Sequence, residues 1–191
     1  ASQNKDFIVT DNFIETKESL SGGIFEVRGN VSSQFISGLL FALPLMDDDS
    51  IINIIPPFES RSYVDLTLEL LAKFGIETMW LNENSIMVKG RQTYRACDYT
   101  VEGDFSQLAF FGVLAAINND LTVKGISHHS RQGDRAIIDI LADFGANINA
   151  VENGYSIGSN MLTAKEIDLQ NCPDLGPVLM VLAAASQGTT V

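Results

Sequence analysis

The sequence predicts an α/β fold assembled from tandem β-α-β-α-β-β units, and three observations lead to it. First, the segment from Ser60-Arg61 to Phe74-Gly75 recurs from Ser130-Arg131 to Phe144-Gly145 at a constant offset of 70 residues (130 − 60 = 70; 144 − 74 = 70). A repeat at fixed spacing sets the architecture before any single element does. Second, the repeat reaches upstream: Ser33-Gln34-Phe35 leads an apolar run to Leu45, Ser106-Gln107-Leu108 leads one to Ile117, and Pro173-Asp174-Leu175 leads a third from Val178 to Ala185. Third, within each copy the apolar spacing alternates between the period of a helix and that of a strand.

Each element has its own local reason. Phe25-Glu26-Val27-Arg28 alternates as a strand and stops at Gly29-Asn30. Ser32 or Ser33 then caps a helix whose apolar positions are Phe35, Ile36, Leu39, Leu40 and Leu43, with Pro44 near its end. Asp47-Asp48-Asp49 forms a solvated turn, and the β-branched run Ser50 to Ile55 is a buried strand closed by Pro56-Pro57. A second helix starts around Ser60 to Tyr63, presents Val64, Leu66, Leu68, Leu71 and Phe74, and stops at Gly75. Ile76–Leu81 and Ser85–Lys89 form a hairpin across Asn82-Glu83-Asn84. The second copy repeats the plan. A helix over Phe105–Ile117 follows Asp104, a strand over Leu121–Ile126 follows Asn118-Asn119-Asp120, and a helix from Ser130 or Asp134 runs to Phe144-Gly145. Asn147–Ala150 and Tyr155–Ile157 make the second hairpin. Ile167–Leu169 is expected as a short strand, and Asp174 opens a last helix. A strand is expected to begin at Thr189-Thr190-Val191, so the last copy is expected to be cut short.

Composition narrows the function classes. A formal charge of −12 and a pI near 4.4 argue against a nucleic-acid partner, because phosphates select a basic surface. Hydrophobic content of 46% supports a packed core. No apolar run reaches the about 18 residues of a membrane span, and Ala1 to Phe7 is polar rather than signal-like. Cys97 and Cys172 stand far apart in no metal or redox spacing and are expected to be buried or semi-buried free thiols in a reducing cytoplasm.

The chemistry is expected at helix starts. Ser32-Ser33-Gln34 places two hydroxyls, an amide and unpaired backbone N–H groups at one N-terminus, which suits either a capped helix end or a phosphate or carboxylate ligand. Ser60, Arg61 and Tyr63 repeat this at the next helix start, where capping beside a surface arginine is the alternative. If two such starts lie side by side, their hydroxyls converge on one ligand. Asp174 is either a cap or a carboxylate able to act as a general base, and Asp104 with Ser106 is assigned to capping. His128-His129 has no third ligand at a recognisable spacing and is assigned to a loop.

With these residues in place, the chain resembles the enolpyruvyl transferases, and within them the EPSP synthase family of the shikimate pathway. The resemblance is carried by Gly29-Asn30-Val31-Ser32-Ser33-Gln34-Phe35, Ser60-Arg61-Ser62-Tyr63, Val101-Glu102-Gly103-Asp104, Gln132-Gly133-Asp134 and Pro173-Asp174-Leu175. It implies two similar domains of β-α-β-α-β-β units with sheets outside and helices inside, the passage between them falling near Val101 to Asp104. Residues 1–102 would then complete the first domain and 103–191 begin the second, so that the chain is a central fragment.

The implied reaction moves the enolpyruvyl group of phosphoenolpyruvate to the 5-hydroxyl of shikimate 3-phosphate and releases phosphate, with no metal or organic cofactor. By resemblance, Ser32 and Ser33 hold the shikimate 3-phosphate, Gln34 contacts substrate near the phosphoenolpyruvate, Ser60 and Tyr63 add contacts, and Asp174 takes the proton of the shikimate hydroxyl. Only 12 Lys and Arg are present, none clustered at these positions, so the isolated chain is expected to be catalytically silent. The resemblance implies a monomeric enzyme, whereas incomplete domains would leave helix faces uncovered and favour self-association. The alternatives are the sister transferase acting on UDP-N-acetylglucosamine and a non-catalytic repeat scaffold.

Overall fold

The fold was examined in a computed structural model, which describes residues 7–16, 19–118 and 120–191. Its chain contacts separate between Asp98 and Tyr99 into two compact units. At the start, β1 (Phe7–Val9) and β2 (Ile14–Thr16) pair antiparallel around a turn in which Thr10 Oγ1 accepts from the N–H of Phe13 at 3.2 Å. The sequence patterns above did not anticipate this hairpin.

The first unit then follows the expected plan. β3 (Ile24–Arg28), α1 (Ser33–Ala42) with a 3-10 turn over Leu43–Leu45, β4 (Ser50–Ile55), α2 (Arg61–Lys73), β5 (Thr78–Asn82) and β6 (Ser85–Val88) run in order. The strands form one sheet in the order β3-β4-β6-β5. β3 and β4 are parallel, with Ile24 opposite Ile51 and Arg28 opposite Ile55, whereas β6 pairs antiparallel with both β4 and β5. Parallel neighbours need a crossover, and α1 supplies it. One sheet face is dry: Ile52 and Ile54 of β4 and Ile86 and Val88 of β6 meet Ile36 and Leu40 of α1 and Val64 and Leu71 of α2.

The second unit holds α3 (Phe105–Ile117), β7 (Leu121–Lys124), a 3-10 turn (Gly133–Arg135) leading into α4 (Ala136–Phe144), β8 (Asn147–Val151), β9 (Gly154–Gly158), and a 3-10 turn (Pro173–Leu175) leading into α5 (Gly176–Ala184). Its sheet order is β7-β9-β8, all antiparallel. Phe105, Leu108, Ile137, Leu141, Phe144, Ile157, Leu175 and Leu182 form its core. Both copies end their second helix in the same way. Gly75 and Gly145 adopt φ of 79° and 105°. In each, the glycine N–H donates to the carbonyl three residues back, Ala72 or Ala142, and the next N–H donates five residues back, to Leu71 or Leu141. This paired bond satisfies the last helix carbonyls and requires the left-handed conformation that glycine adopts without strain.

The structure corrects four local expectations. β7 stops at Lys124 instead of Ile126, because Gly125 turns at φ 84° and the N–H groups of Gly125 and Ile126 both donate to the Asn153 carbonyl. Ile167–Leu169 is not a strand. The chain there makes only a parallel bridge, Thr163 to Gln187, with bonds from Ala164 N to Gln187 O and Ile167 N to Val191 O, each 2.9 Å. Regular α4 begins at Ala136, and Ser130 and Asp134 precede it. Cys97 is exposed, whereas Cys172 is buried. No helix among the described residues is long and apolar enough to cross a membrane.

Burial pushes the Cys172 thiol above its ordinary range, assisted by the nearby carboxylates of Asp134 and Asp168. A thiol reagent at neutral pH is therefore expected to modify one cysteine, Cys97, in the folded chain and both in denaturant, as a colorimetric thiol count checks.

Candidate functional site at two paired helix starts

The parallel register of β3 and β4 decides where α1 and α2 begin. Both helices leave the same carboxyl edge of the sheet, and the two exits are bonded to each other. The N–H of Gly29 donates to the Ile55 carbonyl at 2.9 Å, and the N–H of Glu59 donates to the Gly29 carbonyl at 3.2 Å. A Cβ on Gly29 would stand 2.8 Å from the Pro57 carbonyl oxygen and 2.9 Å from Phe58 Cα, so only glycine permits this approach. The two helix starts expected to converge are thus neighbours.

At the first start, Ser32 is the cap, its Oγ accepting from the N–H of Gln34 at 3.2 Å. Ser33 is half-buried and Gln34 exposed, and the first turn of α1 contains no acidic side chain. Among the described residues no bond is recorded to the Ser33 hydroxyl or the Gln34 side-chain amide. At the second start, Ser60 occupies the cap position in left-handed backbone, φ 53° and ψ 35°, and its side chain makes no capping bond. The capping alternative for Ser60 is therefore overturned. A serine held at positive φ costs about 1–3 kcal/mol of local strain, a feature that gathers at ligand sites. Tyr63 is half-buried on the first turn, its N–H donating to the Ser60 carbonyl at 3.2 Å.

Arg61 is not a free surface cation. Its guanidinium lies 4.5 Å from the Trp80 ring centroid and 5.8 Å from that of Phe58, donates to the Glu83 carbonyl at 3.3 Å, and stands 3.6 Å from Asp65. Positive potential for an anion here comes from two helix ends and their N–H groups, not from Arg61.

The second unit uses the same positions differently. Asp104 caps α3 as expected, accepting from the N–H of Ser106 at 2.8 Å. Gln132 reaches across from the next helix start: its Oε1 accepts from Phe105 N at 2.9 Å, and its Nε2 donates to Glu102 and to the Gly103 carbonyl. The Ser106 hydroxyl donates to the buried carboxylate of Asp134. The start of α3 is thus satisfied from within, whereas no side chain caps the 3-10 turn and α4 that follow. Pattern reading missed this network, although the repeat holds a clue, since Ser62 and Val64 are replaced at the same offset by Gln132 and Asp134. His128 and His129 lie in the expected loop, with His128 Nε2 3.0 Å from the Val151 carbonyl oxygen and its ring edge-on to Tyr155. No group of three or more metal-ligating side chains occurs among the described residues.

Asp174 belongs to the second unit, exposed on the 3-10 turn before α5. No side-chain capping bond is made at the start of that turn or of α5, so its reading as a helix cap is overturned.

Ser60→Gly should stabilise the chain by up to about 1 kcal/mol, by relieving the left-handed strain, while weakening ligand binding at this edge. Thermal unfolding with a parallel titration checks both; a destabilised variant would mean that the hydroxyl is structural.

The family model described as EPSP synthase (3-phosphoshikimate 1-carboxyvinyltransferase) matches residues 8–191. Among curated relatives, the 3-phosphoshikimate 1-carboxyvinyltransferase of Clostridium kluyveri is 47% identical over 171 residues, 90% of this chain and 40% of the relative. That of Brachyspira hyodysenteriae is 42% identical over 187 residues, 97% of this chain and 44% of the relative. The chain thus spans about two fifths of the length of the curated relatives that it matches. In the fold comparison, EPSP synthase from Acinetobacter baumannii superposes with a TM-score of 0.71 at 22% identity, covering 98% of this chain and 45% of that one. The enolpyruvyl transferase NikO from Streptomyces tendae also gives 0.71, at 14% identity, covering 97% and 47%. The repeated α/β units, the paired helix starts and these matches agree: the chain belongs to the EPSP synthase (3-phosphoshikimate 1-carboxyvinyltransferase) family.

Proposed function

We propose that this chain forms the shikimate 3-phosphate side of an enzyme that transfers the enolpyruvyl group of phosphoenolpyruvate to the 5-hydroxyl of that substrate. The observation that carries the reading is the pairing of the α1 and α2 starts at one sheet edge. There Ser33, Gln34 and Ser60 have no recorded side-chain partner among the described residues, and Tyr63 stands on the first turn of α2. A phosphate at this edge would accept from hydroxyls and backbone N–H groups in the field of two helix ends, with Ser32 holding the first turn in place.

In that reading Asp174 is the general base. Addition of the 5-hydroxyl to the enol carbon needs a group that takes the hydroxyl proton and another that protonates the methylene. Asp174 is exposed and not committed to a helix cap, which suits the first role. Cations must also meet the charge of two phosphates and two carboxylates. Arg61 is stacked on Trp80, so this chain supplies little of that charge, and the reading includes catalytic silence of the isolated chain. Residues 1–102 and 103–191 are assigned to the first and second domains of the family fold, and the enzyme to the cytoplasm, acting on small molecules without nucleic-acid or membrane partners.

Calorimetric titration of shikimate 3-phosphate into the 191-residue chain should give weak binding that Ser33→Ala and Gln34→Ala each abolish without changing the melting temperature. Binding of UDP-N-acetylglucosamine in its place would overturn the substrate assignment, and binding of neither would overturn the site.

The reading also includes self-association of this chain. Phe110, Phe111 and Leu114 leave α3 about half exposed (54%, 54% and 51%), a cluster larger than scattered surface apolar residues. Light scattering should show a mass above 20.8 kDa that rises with concentration; a monomer at all concentrations would refute it.

A further inference from the structure

We propose that Ser37 and Thr67 form a two-hydroxyl clamp that sets the spacing of the α1 and α2 starts and so tunes binding of the phosphorylated substrate, an inference that rests on the site reading above. Ser37 Oγ and Thr67 Oγ1 are 2.8 Å apart, and Thr67 Oγ1 donates to the Tyr63 carbonyl at 2.8 Å. Thr67 has one hydroxyl proton and gives it to Tyr63, so the proton between the two hydroxyls is that of Ser37. The chain runs in one direction, Ser37 to Thr67 to Tyr63, and hydrogen bonds in series polarise and strengthen one another.

Its placement follows the site. Ser37 lies four residues after Ser33 on α1, and Thr67 lies four after Tyr63 on α2, so each sits one turn behind a ligand-facing position on the same helix face. Thr67 is 9% exposed among Leu40, Val64 and Leu71, where an apolar pair would pack with no hydroxyl to satisfy. A mid-helix threonine bonded to the carbonyl four residues back also bends and slightly weakens its helix. Stability alone does not favour this arrangement.

The internal repeat supplies the control. Counted from the caps Ser32 and Asp104 for the first helix, and at the offset of 70 for the second, Ser37 corresponds to Ala109 and Thr67 to Ile137. The second unit packs α3 against α4 without a hydroxyl pair, so the fold does not require one. That unit satisfies the start of α3 internally, through Asp104 and Gln132, while α4, like α2, starts without a side-chain cap. The clamp accompanies the pair of starts to which the site reading assigns the ligand. Apolar contacts let helices slide by fractions of an ångström, whereas a hydrogen bond holds its distance and angle.

The test is calorimetric titration of shikimate 3-phosphate into the 191-residue chain and its Thr67→Val, Ser37→Ala, double and Thr67→Ser variants, with a melting curve for each. Thr67→Val and Ser37→Ala should each weaken binding about tenfold, the cost of one buried hydrogen bond. The double variant should be no weaker than Thr67→Val, in which the bond that Ser37→Ala removes is already lost. Thr67→Ser should bind within about twofold of the parent, and the melting temperature of Thr67→Val should not fall. Unchanged affinity in Thr67→Val, with binding still lost in Ser33→Ala, would overturn the clamp and leave the site standing. Absence of binding by the parent chain would overturn the site and the clamp with it. If Thr67→Val fails to fold, Ser37→Ala alone decides, against the same expectation.

Discussion

The parallel pairing of β3 with β4 is the constraint on which the first unit depends. A parallel neighbour is reached only through a crossover, so α1 must run back across the sheet, and α2 must start from the edge that α1 has just left. The bonds between Gly29, Ile55 and Glu59 hold the two exits in backbone contact. Two helix ends with partial positive charge then sit side by side. They repel one another unless an anion or a set of acceptors lies between them. This pairing, with the hydroxyls of Ser33 and Ser60 beside it, is what the proposed anion site rests on.

The second unit meets the same electrostatic condition in another way. Its close-approach glycine, Gly103, donates to the Gly125 carbonyl as Gly29 does to Ile55, and a Cβ there would come within 2.3 Å of that oxygen. The start of α3, however, is met by the Asp104 carboxylate and the Gln132 amide oxygen, with the Ser106 hydroxyl donating to Asp134. One copy places carboxylates at its first helix start, and the other has a serine cap there and no acidic side chain in the first turn. A duplicated supersecondary unit can keep its backbone frame while a few substitutions decide which copy takes a ligand.

Arg61 shows why charge counting is a poor guide to such a site. It follows Ser60 directly at the start of α2, yet its planar guanidinium gains more from the Trp80 face and the Asp65 and Glu83 oxygens nearby than from solvent. The backbone N–H groups at the two starts add positive character that cannot be seen in composition.

The sequence by itself determined the repeat, most element boundaries, the two glycine helix stops, a serine cap at Ser32 or Ser33 and the cap at Asp104. Each is a local matter of apolar period, backbone conformation or a side chain bonding two or three residues away. It also marked Ser32, Ser33, Gln34, Ser60 and Tyr63, because hydroxyls and an amide at helix starts are legible as text. Only the tertiary structure decided that the two starts are neighbours, that Ser60 is left-handed and uncapped, that Arg61 is stacked away, and that Gln132 reaches the start of α3 and Asp134 the Ser106 hydroxyl. Ile167–Leu169 belongs with these, since an apolar triplet becomes a strand only where a neighbouring strand completes its ladder, and here only one bridge forms. All of these depend on contacts between residues roughly 20 or more positions apart, where one-dimensional periodicity carries no distance information.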